Sequence, residues 1–168
     1  MKNLEIKVQV NTFDLIRDKL AFAKDKGFLI QKDTYYFFGN TKLKSREESG
    51  KTELIFYIRP KINGSRESRY IRFGIPNFLK KILSFIFGEK IIVNKERLLL
   101  YKHTRIHLDK VNELGKFIEL ETVFNTKVTP NIFIAEHNEV KKLLGLEMFR
   151  VVSGSYSDLL LKKQKIVN

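Results

Sequence analysis

Twice along this chain, one strand-like run leads into a helix-like stripe and then into three more strand-like runs. No other feature limits the fold as much. In residues 3–10, Leu4, Ile6, Val8 and Val10 alternate with Asn3, Glu5, Lys7 and Gln9, the period-2 pattern of a strand. Thr12 has the character of an N-cap, and Phe13, Ile16, Leu20 and Phe22 form a helical stripe ending near Gly27. Runs at 28–38, 41–48 and 52–59 follow, with Gly39-Asn40 and Ser49-Gly50 as turns and Pro60 to Ser65 as a loop. The second unit has a strand at 67–73 and a helix at 77–87, between Pro76 and Gly88. Strands at 89–101, 104–111 and 116–124 complete it. A helix then runs from Pro130 to about Leu144, and a short segment covers 155–165. The expected fold class is α+β. The duplicated β-α-β-β-β unit would close eight antiparallel strands into one barrel with the helices packed outside. A chain of 168 residues, 43% hydrophobic, suits a single domain over 1–168.

The polar faces of these strands carry the chemistry. Glu5 and Lys7 share a face, as do Lys44 and Arg46, and Arg59 shares parity with Tyr57. Ser68, Tyr70 and Arg72 align, then Lys95 with Arg97, then Arg105, His107 and Asp109, then Glu119 with Glu121. The opposite faces are largely Leu, Ile, Phe and Val. A sheet ordinarily keeps its polar face in water. The alternative is a polar lumen with helices covering an apolar outer face. A charged lumen needs a charged ligand to fill it. Lys and Arg neutralise phosphate oxygens, and carboxylates hold hard divalent cations through oxygen, so a metal–triphosphate is the matching ligand.

The net charge of +13 also points to a polyanionic partner. Nucleic acid is disfavoured, because the Phe residues fall mostly on faces assigned to the core rather than between exposed cations. There is no Cys, which excludes disulfides and thiolate sites, and three scattered His do not make a zinc site. The charged N-terminus is unlike a signal peptide. The apolar stretch Phe78 to Phe87 is broken by Lys80 and Lys81 and is shorter than the ~20 residues of a membrane span. The expected location is the cytoplasm.

In order along nearly the whole chain stand NLEIK (3–7), DTYYF (33–37), LKSRE (43–47), ELIFYIRP (53–60), SRESRY (65–70), VNKERLLLY (93–101), RIHLDKVNELGKFIELE (105–121) and GSYSDLLL (154–161). This ordered set resembles the CYTH family, the triphosphate tunnel metalloenzymes, and within it the class IV adenylyl cyclase-like proteins. The resemblance implies an eight-stranded antiparallel tunnel and chemistry assisted by Mg²⁺ or Mn²⁺. It implies metal ligation by Glu5, Glu119 and Glu121, with Asp109 as a further ligand or a support. It implies phosphate binding by Lys7, Lys44, Arg46, Arg59, Lys95, Arg97 and Arg105, with Lys7, Arg46 and Arg59 nearest the reaction. Ser68 and Tyr70 match a motif of the cyclase-like branch, and His107 is expected to hydrogen-bond within the wall. Tyr156 and Asp158 are expected to secure the C-terminal segment. Asn3 stands where the family's Glu-x-Glu-x-Lys signature begins with Glu, which removes one charge from the metal cluster.

Two activities fit the resemblance: a cyclase making cyclic AMP and pyrophosphate from ATP, and a triphosphatase acting on thiamine triphosphate, tripolyphosphate or a nucleoside triphosphate. A non-catalytic triphosphate-binding module is a third reading. The basic, apolar helix 77–88 is expected to cap the barrel; a homodimer contact or a membrane surface are its other readings.

Overall fold

The computed structural model describes residues 2–38, 41–58, 66–125 and 129–167. Within these ranges it leaves out the side chains of 37–38, 41–42, 57–58, 66–69, 87–96, 161 and 164–167. Arg59 lies outside the described residues, and so do the side chains of Ser68 and Lys95.

The strands are β1 (Lys2–Val10), β2 (Lys24–Asp25), β3 (Leu29–Phe38), β4 (Thr41–Glu48), β5 (Lys51–Ile58), β6 (Arg66–Gly74), β7 (Gly88–Tyr101), β8 (Thr104–Val111) and β9 (Gly115–Phe124). The helices are α1 (Asp14–Arg17), α2 (Asn77–Phe87), α3 (Pro130–Leu143) and α4 (Tyr156–Val167), with short 3₁₀ turns at Asp18–Leu20 and Leu146–Met148. All described pairings are antiparallel, in one sheet of order β2-β7-β3-β4-β5-β6-β1-β9-β8, with β7 also bonded to β8.

This corrects the expected closed eight-stranded barrel. The sheet has nine strands rather than eight, with the two-residue β2 added to β7, while β7 also pairs β8 at the other end of the order. At the β1–β6 seam, pairing is described only for Lys2 to Glu5 against Arg66 to Arg69. Beyond Glu5 the C-terminal segment lies alongside β1 instead. Val152 N–H donates to the Lys7 carbonyl at 2.8 Å, and Val151 bridges Val8. The ninth strand has a simple cause. β3 leaves β7 after Leu29–Lys95, and the exposed backbone of β7 takes Lys24 and Asp25 opposite Leu100 and Leu99. Backbone donors and acceptors must find partners. The expected first helix is therefore cut short. It frays into a 3₁₀ turn and gives up its last residues to β2. Phe13 holds the cap position, and Thr12, one residue earlier, accepts from the Asp14 N–H at 3.3 Å and donates to Asp14 Oδ2 at 2.6 Å.

The apolar strand faces point outward, under the helices. Ile6, Val8 and Val10 of β1, Ile106 and Leu108 of β8, and Ile118 and Leu120 of β9 pack with Phe13, Ile16, Leu20, Val140, Leu144 and Leu146. Each such burial contributes roughly 1.5–3 kcal/mol. The odd-numbered residues of β1 and β9 are therefore left on the concave face. A second cluster closes one end of that concave face. It comprises Tyr35, Ile55, Val111, Phe117, Tyr156 and Leu160. α4 enters there through a capping box: Ser155 Oγ accepts from Asp158 N at 3.3 Å, while Asp158 Oδ2 accepts from Ser155 N at 2.8 Å.

Candidate active site

Register places the acidic wall. Glu5 lies opposite Glu121 and Lys7 opposite Glu119 across β1–β9. Arg105 then faces Glu121, and His107 faces Glu119, across β8–β9. Facing residues of antiparallel neighbours share one side of a sheet. Two rows of charge thus cross three strands on the concave face. Lys7 Nζ sits 3.5 Å from Glu5 Oε1 and 3.3 Å from Glu119 Oε2. Arg105 NH1 donates to Glu121 Oε2 at 3.1 Å, and Asn3 Nδ2 donates to Glu121 Oε1 at 2.7 Å. Burial opposes ionisation of Glu121. The hydrogen bond and charge of His107, with Arg105, outweigh it and bring its pKa down to about 2.

The basic wall comes from the β3–β4 hairpin, where Asp33 faces Arg46 and Tyr35 faces Lys44. Asp33 is buried. It accepts from Lys44 Nζ at 2.7 Å and from Arg46 Nε and NH2, each at 2.8 Å. Burial alone would raise its pKa; the two cations overcome that and hold the carboxyl far below the usual carboxylate range. The forked Arg46 contact fixes the guanidinium plane.

Both walls line one cavity, together with Tyr70, Arg72, Ile55, Ser155 and Tyr156. Of the residues expected there, Glu5, Lys7, Lys44, Arg46, Arg105, Glu119 and Glu121 are brought together. Asp109 lies behind the lining, fully buried, and accepts from Tyr156 Oη at 2.8 Å. Burial, then Asp109 and Glu119, push the Tyr156 phenol well above its ordinary pKa, so it stays a donor. The Tyr156 ring also lies 4.1 Å from Lys7 Nζ. The C-terminal segment is thus secured by Tyr156 and Asp158, and Tyr156 enters the cavity as well.

Arg97 requires a correction. The β7–β8 register slips between Lys95, opposite Asp109, and Arg97, opposite Leu108. This bulge puts Arg97 on the outer face, half-exposed and 3.4 Å from Asp25. The reading overlooked Asp33. Its signal was its place in the strand-like run before Lys44 and Arg46; the β3–β4 register sets residue 33 opposite residue 46.

The donors on the acidic wall are oxygens, which suit a hard cation. Asn3 Oδ1 is buried beside Glu121 with no hydrogen-bond partner among the described residues. Asn3, Glu5 and Glu121 therefore fit an ion by chemistry. As they stand, no three His, Asp or Glu among the described residues are grouped closely enough to hold one.

A family model described as the CYTH domain matches residues 1–156. The chain belongs to the CYTH domain family. Members of this family act on triphosphates and are generally metal-dependent. The CYTH fold here is also similar to solved structures. The PH1012 protein of Pyrococcus horikoshii OT3 is 19% identical over 94% of this chain and 98% of its own, with a TM-score of 0.77. A conserved hypothetical protein of Pyrococcus furiosus is 20% identical over 94% and 99%, with a TM-score of 0.76. A Vibrio parahaemolyticus protein described as a "putative adenylate cyclase" is 15% identical over 94% and 97%, with a TM-score of 0.65. At these identities the likeness establishes the fold alone. No curated protein matches the chain.

Proposed function

We propose that this CYTH protein is an enzyme that reacts on the triphosphate of ATP or a similar compound with Mg²⁺ or Mn²⁺, in the manner of a class IV adenylyl cyclase. The observation that carries the proposal is a single cavity with Lys44 and Arg46 on one wall and Glu5, Glu119 and Glu121 on the other. Lys44 and Arg46, pre-set by Asp33, hold the phosphate oxygens and offset their charge. Lys7 and Arg105 stand among the carboxylates and neutralise the chain's other oxygens. Arg59 and Lys95 belong to the same basic lining in this proposal. Asn3, Glu5 and Glu121 would hold the cation, which when bound polarises phosphoryl oxygens and neutralises developing charge. Asp109 is assigned to holding Tyr156.

In the cyclase, the ribose 3′-hydroxyl attacks the α-phosphorus and pyrophosphate leaves. In the triphosphatase, water attacks the terminal phosphorus and orthophosphate leaves. A non-catalytic binding module is favoured by one observation: Glu5, Glu119 and Glu121 are already engaged by Lys7, Arg105 and Asn3. A product assay with ATP, thiamine triphosphate and tripolyphosphate, each with Mg²⁺ or Mn²⁺ and read by ³¹P NMR, separates these readings. Cyclic AMP with pyrophosphate supports the cyclase, and orthophosphate the triphosphatase. Binding without any product overturns the enzymatic reading.

Asn3→Glu restores a charge to the acidic wall. The expected result is tighter Mn²⁺ binding by about tenfold, because ligand charge tunes affinity for hard cations. Isothermal titration with the metal alone checks it, and an unchanged affinity removes residue 3 from the ion site. Tyr156→Phe removes the donor to Asp109 while keeping the ring over Lys7. Because it leaves a buried carboxylate without that donor, a loss of roughly 1–3 kcal/mol is expected in denaturant unfolding.

A further inference from the structure

Helix α2 is mounted inside out. The side facing the sheet carries Asn77, Lys80 and Ser84, which meet Thr52 of β5 at 2.7 Å, Glu47 of β4 at 2.7 Å and Tyr36 of β3 at 3.2 Å. These contacts lay the helix across the convex face, away from the cavity. Its other side presents Phe78, Ile82, Phe85 and Ile86 to solvent, exposed by 66%, 51%, 92% and 56%. A surface helix ordinarily does the reverse. Next to β5 runs β6, where Ile71 and Phe73, paired with Phe56 and Leu54, are also exposed. Apolar side chains are therefore exposed both on β6 and on the helix that follows it, and an extended patch of this kind marks an interaction site.

Charge selects the partner. Between Ile71 and Gly88 there is no Asp or Glu; Arg72 lines the cavity, and Lys80 and Lys81 are the cations of the helix, in a chain of net charge +13. Glu47 engages Lys80, while Lys81 stands exposed beside the apolar stripe. A second copy would bring like charge against like charge. An anionic bilayer surface brings the opposite sign, and its acyl boundary accepts Phe and Ile from a helix lying in the plane. We propose that this face docks the protein onto an anionic lipid surface. The helix lies on the bilayer and does not cross it; none of the described helices is long and apolar enough to span a membrane.

The test is vesicle flotation with the full chain. Vesicles of equal parts phosphatidylglycerol and phosphatidylcholine are expected to carry the protein up the gradient. Phosphatidylcholine vesicles are not. The double substitution Ile82→Glu and Phe85→Glu is expected to reduce flotation at least about tenfold, by removing the apolar anchor and opposing the lipid charge. Its thermal unfolding should match the parent, because both side chains are in solvent. Flotation that survives the double substitution overturns the proposal. So does a parent that fails to float at low salt, including one that sedimentation shows as a dimer and that becomes monomeric when substituted.

Discussion

Arg46→Ala is expected to lower the unfolding free energy by about 3 kcal/mol, because it strips a buried carboxylate of its main counter-charge. Asp33 is 2% exposed, and among the described residues Arg46 supplies two of the three side-chain donors around it. Lys44 remains, which holds the loss to the lower end of the range for broken buried pairs. Tripolyphosphate binding should weaken in the same variant, by roughly tenfold or more, through loss of a bidentate cation. Arg46→Lys keeps the charge but not the fork, so it should fall between. The pH dependence follows from the direction of the Asp33 shift. Its folded pKa lies below the unfolded value of 3.8, so its contribution is present above that value and fades as the pH falls beneath it. In Arg46→Ala this acid dependence should flatten. Equal stability of the variant and the parent in denaturant titrations would show that the Asp33 pair does no structural work.

Glu121→Gln is expected to reduce metal-dependent turnover by at least about 100-fold, the scale seen when a metal site loses a charged partner. The amide keeps an oxygen for the Asn3 donor, so the fold should survive. Arg105 and His107 lose the charge that they face. The parent's Glu121 also links stability to acid. Its folded pKa of about 2 lies below the ordinary 4.5, so its stabilisation is present above 4.5 and is lost as the pH falls between those values. Glu121→Gln should lack that segment of the acid-unfolding curve. Turnover equal to the parent's would remove Glu121 from the reaction.

Alternation made the two faces of each strand legible, and it set Lys44 beside Arg46 and Glu119 beside Glu121. Alternation alone could not choose the inner face; the helices choose it, by covering Ile6, Val8, Ile106 and Ile118. Arg97 was misplaced because one inserted residue reverses parity, and a bulge has no reliable signal in a polar strand. Closure failed as an expectation for a related reason. Whether a seam stays paired depends on which segment competes for it, and the competitor, Val151 to Val152, is nearly the whole chain away from Lys7. Asp33 was read as part of a motif, without seeing that it neutralises the basic wall. The outward stripe of α2 was visible as an apolar pattern, but its inversion depends on the polar anchors Thr52, Glu47 and Tyr36.

The bond between Val152 and the Lys7 carbonyl joins two segments far apart in sequence beside the cavity. During synthesis, β1 emerges well before the segment at 151–156 that gives Lys7 its neighbour Tyr156. Contacts so far apart in sequence form slowly, since a long loop must close first. A nascent chain would therefore carry an unfinished, highly charged pocket until the segment at 151–156 has been made. Ribosome-stalled chains ending before residue 151 should bind tripolyphosphate poorly, and chains extended past α4 should bind it normally.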